Sequence, residues 1–191
     1  RAGRRQQQAV QQAERQHASG QGNATLPFTV AGNALVEHPG VAKIVFTGST
    51  AVGKQVLAKG SALLKRVTLE LGGKSPNIVF ADADVEAAAA SAPMSFLDNS
   101  GQDCCARSRI LVQRSVHDRF LELLAPAVES VVVGDPSDER TQMGPLISAA
   151  QRERVRSYVD ADAPGIRGKA PEGPGFWFAP TVLTGVEPGA R

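Results

Sequence analysis

Val41-Ala42-Lys43-Ile44-Val45-Phe46-Thr47-Gly48-Ser49-Thr50-Ala51-Val52-Gly53-Lys54-Gln55 is the stretch that decides the fold. Val41 to Phe46 is an apolar, β-branched run of the length of a mostly buried strand. Thr47 to Thr50 is a polar turn, and Val52 to Leu64 has helical spacing. A strand that passes through such a turn into a helix offers unpaired backbone N–H groups, which attract phosphate. Gly48 lets a ligand approach the backbone, and Ser49 can cap the helix or donate a hydrogen bond. Three readings stand. Gly48-x4-Gly53-Lys54 fits most of a P-loop, and Asp82, after Ile78-Val79-Phe80, imitates a second acidic magnesium site. Against it, Gln55 stands where Mg²⁺ needs Ser or Thr. The second reading is a dinucleotide turn, although G-x-G-x-x-G is absent. The third is a capped helix after a strand, with no ligand.

Outward from this stretch, strands and helices alternate. Ala31 to His38 reads as a short helix stopped by Pro39-Gly40. Val67 to Leu71 is a second strand and Asn77 to Phe80 a third. Asp82 to Leu97 is Ala-rich and helical, with Asp82 or Asp84 as N-cap. Arg109 to Gln113 is a fourth strand, and Val116 to Val131 an amphipathic helix. Ser148 caps a helix that runs to Val159. The last segment, around Phe176-Trp177-Phe178, is Pro/Gly-rich and loop-like, with a strand-like pair at Val182-Leu183. The pattern is that of an α/β protein with parallel strand pairing.

Composition narrows the function. The chain has 191 residues, enough for one domain and part of a second, with 42% hydrophobic and 21% charged residues. A net charge of +2 argues against a nucleic-acid partner. No apolar run approaches the roughly 20 residues of a membrane span, and no secretory leader is expected. Two cysteines, Cys104 and Cys105, exclude a disulfide scaffold, so a reducing, cytoplasmic setting is expected. Residues 1–29 differ from the rest, with four arginines and seven glutamines against one acid, Glu14. They read as a solvated or foreign head. A basic arm for nucleic acid would want aromatics and lysines that this head lacks. Glu187 to Arg191 stops in what reads as mid-loop, so the chain is expected to be part of a longer protein.

Two residues carry candidate chemistry. Glu70, in Leu69-Glu70-Leu71-Gly72-Gly73-Lys74-Ser75-Pro76, sits between leucines at a strand end. Partial desolvation there would raise its pKa and suit it to proton transfer; the alternative is a glutamate pointing to water. Cys104 lies in the polar turn Asn99-Ser100-Gly101-Gln102-Asp103-Cys104-Cys105-Ala106-Arg107-Ser108-Arg109. It reads either as a small buried hydrophobe or as a thiol activated by nearby helix ends and arginines. Spacing does not choose between Cys104 and Cys105. His17, His38 and His117 are scattered, which speaks against a zinc site, and no metal is expected.

Taken together, FTGSTAVGK (Phe46 to Lys54), LELGGKSPNIVF (Leu69 to Phe80) and SGQDCCARSR (Ser100 to Arg109) resemble three motifs of the NAD(P)-dependent aldehyde dehydrogenase superfamily. They stand in family order, with 34 residues from Glu70 to Cys104. MGPLIS (Met143 to Ser148) and FWFAPTVL (Phe176 to Leu183) look like later family segments. The resemblance runs from Val30 to about Glu187. It implies the end of a Rossmann-type cofactor domain over residues 30–72 and the start of an α/β catalytic domain over residues 73–191. By position it implies Cys104, two residues after Gln102, as nucleophile and Glu70 as general base. Gly48 and Ser49 would lie near the pyrophosphate of NAD or NADP, Val52 on its adenine side, and the Leu71 backbone near the nicotinamide.

The implied reaction oxidises a small-molecule aldehyde to an acid through a Cys104 thiohemiacetal and thioester, without metal, in a parent protein that is a homo-oligomer. The family's upstream Trp-Asn segment and downstream Glu-x-Phe-Gly-Pro segment have no counterpart in this sequence, so the isolated chain is expected to be inactive. Its rivals are a P-loop-like nucleotide-binding protein and a non-catalytic protein that keeps the fold.

Overall fold

The computed structural model describes residues 26–159, 163–187 and 189. Expectations for residues 1–25 lie outside the described residues. The chain divides into two compact units between Gly72 and Gly73.

In the first unit, α1 (Leu26–Glu37) precedes β1 (Lys43–Gly48), α2 (Thr50–Ala62) and β2 (Arg66–Leu71). The sequence pattern placed the start of α1 at Ala31. The helix opens earlier because Pro27 occupies its first turn, where a missing N–H costs nothing. β1 and β2 pair in parallel, Lys43 beside Arg66 through Gly48 beside Leu71. Both strands alternate exposed and half-buried residues, as a sheet covered on one face requires. α2 supplies that cover with Gly53, Val56 and Gly60, its buried residues. A Cβ on Gly53 would lie 2.6 Å from Leu71 Cδ2, and one on Gly60 would lie 2.7 Å from Val67 Cγ2. The two glycines are therefore where the helix comes closest to β2. Lys59 Nζ binds Asn33 Oδ1 and Glu37 Oε1 at 2.9 and 2.6 Å, tying α2 to α1.

In the second unit, β3 (Pro76–Val79) pairs in parallel with β4 (Arg109–Val112). Between them runs α3 (Val85–Leu97), capped by Asp84, whose carboxylate accepts from the Ala87 amide at 3.0 Å. α4 (His117–Glu129) follows, introduced by a 3₁₀ turn at Arg114–Val116. Phe120, Leu124 and Val128 repeat every four residues along α4 and form the core with Val79, Ala89 and Ala92. α5 (Ala149–Arg156) is capped by Ser148, which accepts from the Gln151 amide.

β5 (Gly165–Arg167) and β6 (Thr181–Leu183) close on this core through Ile166 and Val182. They pair antiparallel, against the expectation of parallel pairing throughout. β5 is only three residues long, too short for its alternation to register in sequence. A Cβ on Gly165 would overlap the Val182 carbonyl, so the pair needs glycine there. Among the described residues no helix is long and apolar enough to cross a membrane.

Candidate active site

Sequence and local physics place the glycine turn first. β1 ends at Gly48 and α2 begins at Thr50, so Ser49 alone makes the connection. Its hydroxyl accepts from the Val52 amide at 3.3 Å, and its carbonyl accepts from Gly53 at 2.9 Å. This N-cap leaves the amides of Thr50 and Ala51 without intrahelical acceptors. Gly48, Ser49 and Val52 gather at this exposed first turn, and Leu71 joins them as the register partner of Gly48. The Phe46 ring fills the place of a Gly48 side chain; a Cβ there would lie 2.5 Å from Phe46 Cζ.

The P-loop reading fails on the same geometry. A phosphate-wrapping loop needs the residues between Gly48 and Gly53 as loop, but α2 already begins at Thr50, and Gly53 is buried inside it.

Glu70 is exposed on β2. Of the two sequence readings, desolvation by the flanking leucines and a glutamate pointing to water, the structure gives the second. The period of two sends Leu69 and Leu71 to the other face of the strand, and Glu70 shares the open face with Arg66 and Thr68. Its register partner is Thr47.

Cys104 follows a strained turn in the second unit. Asn99, Ser100 and Gly101 are consecutive left-handed residues with φ of 48°, 58° and 70°. Only one is glycine, and a non-glycine residue pays about 1–2 kcal/mol for this conformation. Side chains hold the turn in place. Asn99 Nδ2 donates to Gln102 O at 3.3 Å, and Asn99 N donates to Asp98 Oδ1 at 2.9 Å. Ser100 Oγ donates to Gly144 O at 2.9 Å, and Gln102 Oε1 accepts from the Ile147 amide at 3.0 Å. The later segment Met143 to Ser148 therefore buttresses the Cys104 loop. Leu97, Val131 and Met143 bury a small apolar cluster behind it.

Both cysteines are free and exposed. Burial thus rejects the reading of Cys104 as a small core hydrophobe. Cys105 Sγ donates to Asp103 Oδ2 at 3.1 Å. That hydrogen bond, and then the carboxylate's charge, push the Cys105 thiol above its ordinary pKa. Asp103 is held below the usual carboxylate value, first by the Cys105 thiol and amide and less by Cys104. The sequence reading passed over Asp103. Its signal was local: an Asp two residues before the amide it accepts from is an Asx-type turn. The bonds from Ser100 and Gln102 reach residues 44 and 45 positions away, beyond any local pattern.

Comparison with known proteins shows the family and the fold. The aldehyde dehydrogenase family model matches residues 26–191. A betaine aldehyde dehydrogenase of Sinorhizobium fredii is 46% identical over 163 residues, covering 81% of this chain and 34% of that protein. An NAD-dependent aldehyde dehydrogenase from Sinorhizobium meliloti superposes with a TM-score of 0.76 at 42% identity, over 84% of this chain and 33% of the other. A Pseudomonas syringae aldehyde dehydrogenase C mutant, solved with NAD⁺ and octanal, gives 0.78 at 36% identity, over 84% of this chain and 35% of the other. The chain thus spans about a third of the length of these relatives. Its α/β fold is theirs, and so is its descent: the chain belongs to the aldehyde dehydrogenase family.

Proposed function

We propose that this chain carries the nucleophile and the general base of an NAD(P)-dependent aldehyde oxidation, with Cys104 and Glu70 in those roles. Residues 30–72 then form the latter part of a cofactor-binding domain, and residues 73–191 part of a catalytic one. The observation that carries the reading is Cys104 itself, an exposed thiol three residues after a braced left-handed turn, within a family match over residues 26–191.

The donor set suits the cofactor's pyrophosphate: open amides at Thr50 and Ala51, the Ser49 hydroxyl at the turn, and the positive end of a 13-residue helix. Val52, exposed beside them, suits the adenine side, and the Leu71 backbone the nicotinamide side. When bound, a nicotinamide cofactor supplies the hydride acceptor.

The chain's own residues supply the rest. The Cys104 sulfur, as thiolate, bonds to the aldehyde carbon and gives a thiohemiacetal. After oxidation of that carbon Cys104 carries a thioester. Glu70 takes a proton from water, the resulting hydroxide adds to the thioester carbon, and the Cys104–carbon bond breaks to release the acid. The same family reading extends to a cytoplasmic, homo-oligomeric parent acting on a small-molecule aldehyde.

The experiment is Glu70→Gln in a full-length protein carrying this segment. Acylation is expected to persist as a full-size NADH burst, while the steady-state rate falls by about 10²-fold or more. The thioester accumulates on the Cys104 peptide, where mass spectrometry of acid-quenched enzyme finds it. An unchanged steady state removes Glu70 from the reaction. The isolated 191-residue chain is expected to yield no NADH from aldehyde and NAD⁺. Turnover by it would show that the segment needs nothing beyond itself.

A further inference from the structure

Two adjacent thiols on one exposed turn pose a selection problem. Both are free and both are exposed, so access does not decide which one reacts. Their sulfurs and the Asp103 carboxylate all lie within 4.8 Å of one another. What separates the two thiols is how closely each engages Asp103: Cys105 Sγ donates to it at 3.1 Å, and Cys104 acts on it more weakly.

We propose that Asp103 is a positioning residue: its carboxylate holds the Cys105 thiol as a hydrogen-bond donor and leaves Cys104 as the thiol that reacts. This rests on the reading of Cys104 as nucleophile and adds how the choice is made. The Sγ–Oδ2 distance is 3.1 Å, and the Cys105 amide lies 3.5 Å from Oδ1, so the carboxylate meets Cys105 at both its thiol and its amide. A thiol can donate into that carboxylate, whereas a thiolate there would face a like charge. The thiolate is the nucleophilic form, so the contact silences Cys105. The groups that act on Cys105 are the Asp103 carboxylate, first by hydrogen bond and then by charge, and more weakly the Cys104 thiol. Asp103 itself stays ionised, held below the usual carboxylate value by the same contacts. The turn also supports the geometry. Ala106 N donates to Asp103 O at 3.3 Å and Arg107 N to Ser95 O at 2.8 Å, so the segment between them is pinned at both ends.

The test is iodoacetamide alkylation of the full chain, with the rate at each cysteine read by peptide mass spectrometry across a range of pH. In the native chain Cys104 is alkylated faster than Cys105 at neutral pH. In Asp103→Asn, Cys105 gains roughly tenfold in rate at neutral pH and its profile moves to lower pH, because the like charge that opposes its thiolate is gone. In urea the two cysteines alkylate at similar rates with or without the substitution. The proposal is overturned if Cys105 is the faster thiol in the native chain. It is overturned equally if Asp103→Asn leaves the Cys105 profile in place, or moves both thiols by the same factor, as loosening of the turn alone would do. Neither aldehyde nor cofactor enters the measurement. Loss of the aldehyde-oxidation reading would therefore leave the thiol selectivity standing, and equal alkylation would leave that reading standing.

Discussion

In a full-length protein carrying this segment, Cys104→Ala is expected to lower aldehyde oxidation by about 10⁴-fold or more while changing cofactor affinity by less than about twofold. A nucleophile that forms the covalent intermediate has no substitute in the remaining side chains. Ser49, proposed to face the cofactor, belongs to the unit that ends at Gly72 and does not contain Cys104, so losing one sulfur leaves its turn intact. Cys105→Ala is the matched control and is expected to retain most activity, because its thiol is committed to Asp103. The paired measurement is NADH production and cofactor titration on both variants. Activity surviving in Cys104→Ala but lost in Cys105→Ala would reverse the assignment.

The second large effect is on stability. Phe120 is 1% exposed at the centre of the second unit, packed with Leu124 and Val128 on α4 and with Val79, Ala89 and Ala92 opposite. Phe120→Ala removes a ring from a site with no route to solvent and leaves a cavity, costing about 3–5 kcal/mol. Domains of ordinary stability have about 5–15 kcal/mol in total, so the variant should unfold at a much lower urea concentration with little change in slope. Met94, 41% exposed on α3, provides the comparison, and Met94→Ala should shift stability by less than about 0.5 kcal/mol. A shift of under about 1 kcal/mol for Phe120→Ala would mean that α4 is not the core helix.

Much of the architecture could be read locally. Helix starts at Ser49, Asp84 and Ser148 are visible because a cap and the amide it serves are three residues apart. β1 to β4 are visible because β-branched runs alternate with helical spacing over windows longer than their errors. The Cys104 loop stands out through its polar residues and Gly101, and the order of the motifs carries the family. All of these signals lie within a few residues of the atoms they describe.

What the sequence left open lies across the chain. Whether Glu70 is buried depends on which face of β2 α2 covers, and Glu70 proved to be on the uncovered one. Gly53 resembled a ligand-cradling glycine until its place against Leu71 showed that it packs a helix onto a strand. The antiparallel β5–β6 pair follows from contacts that cost chain entropy and leave no periodic trace. The choice between two neighbouring thiols rests on where one carboxylate oxygen comes to lie. Composition and short-range pattern therefore settle which elements the chain carries, because caps, turns and alternation act over a few bonds. Exposure, register and the bracing of Cys104 are set by pairings up to 45 residues apart, and those exist only once the chain has folded.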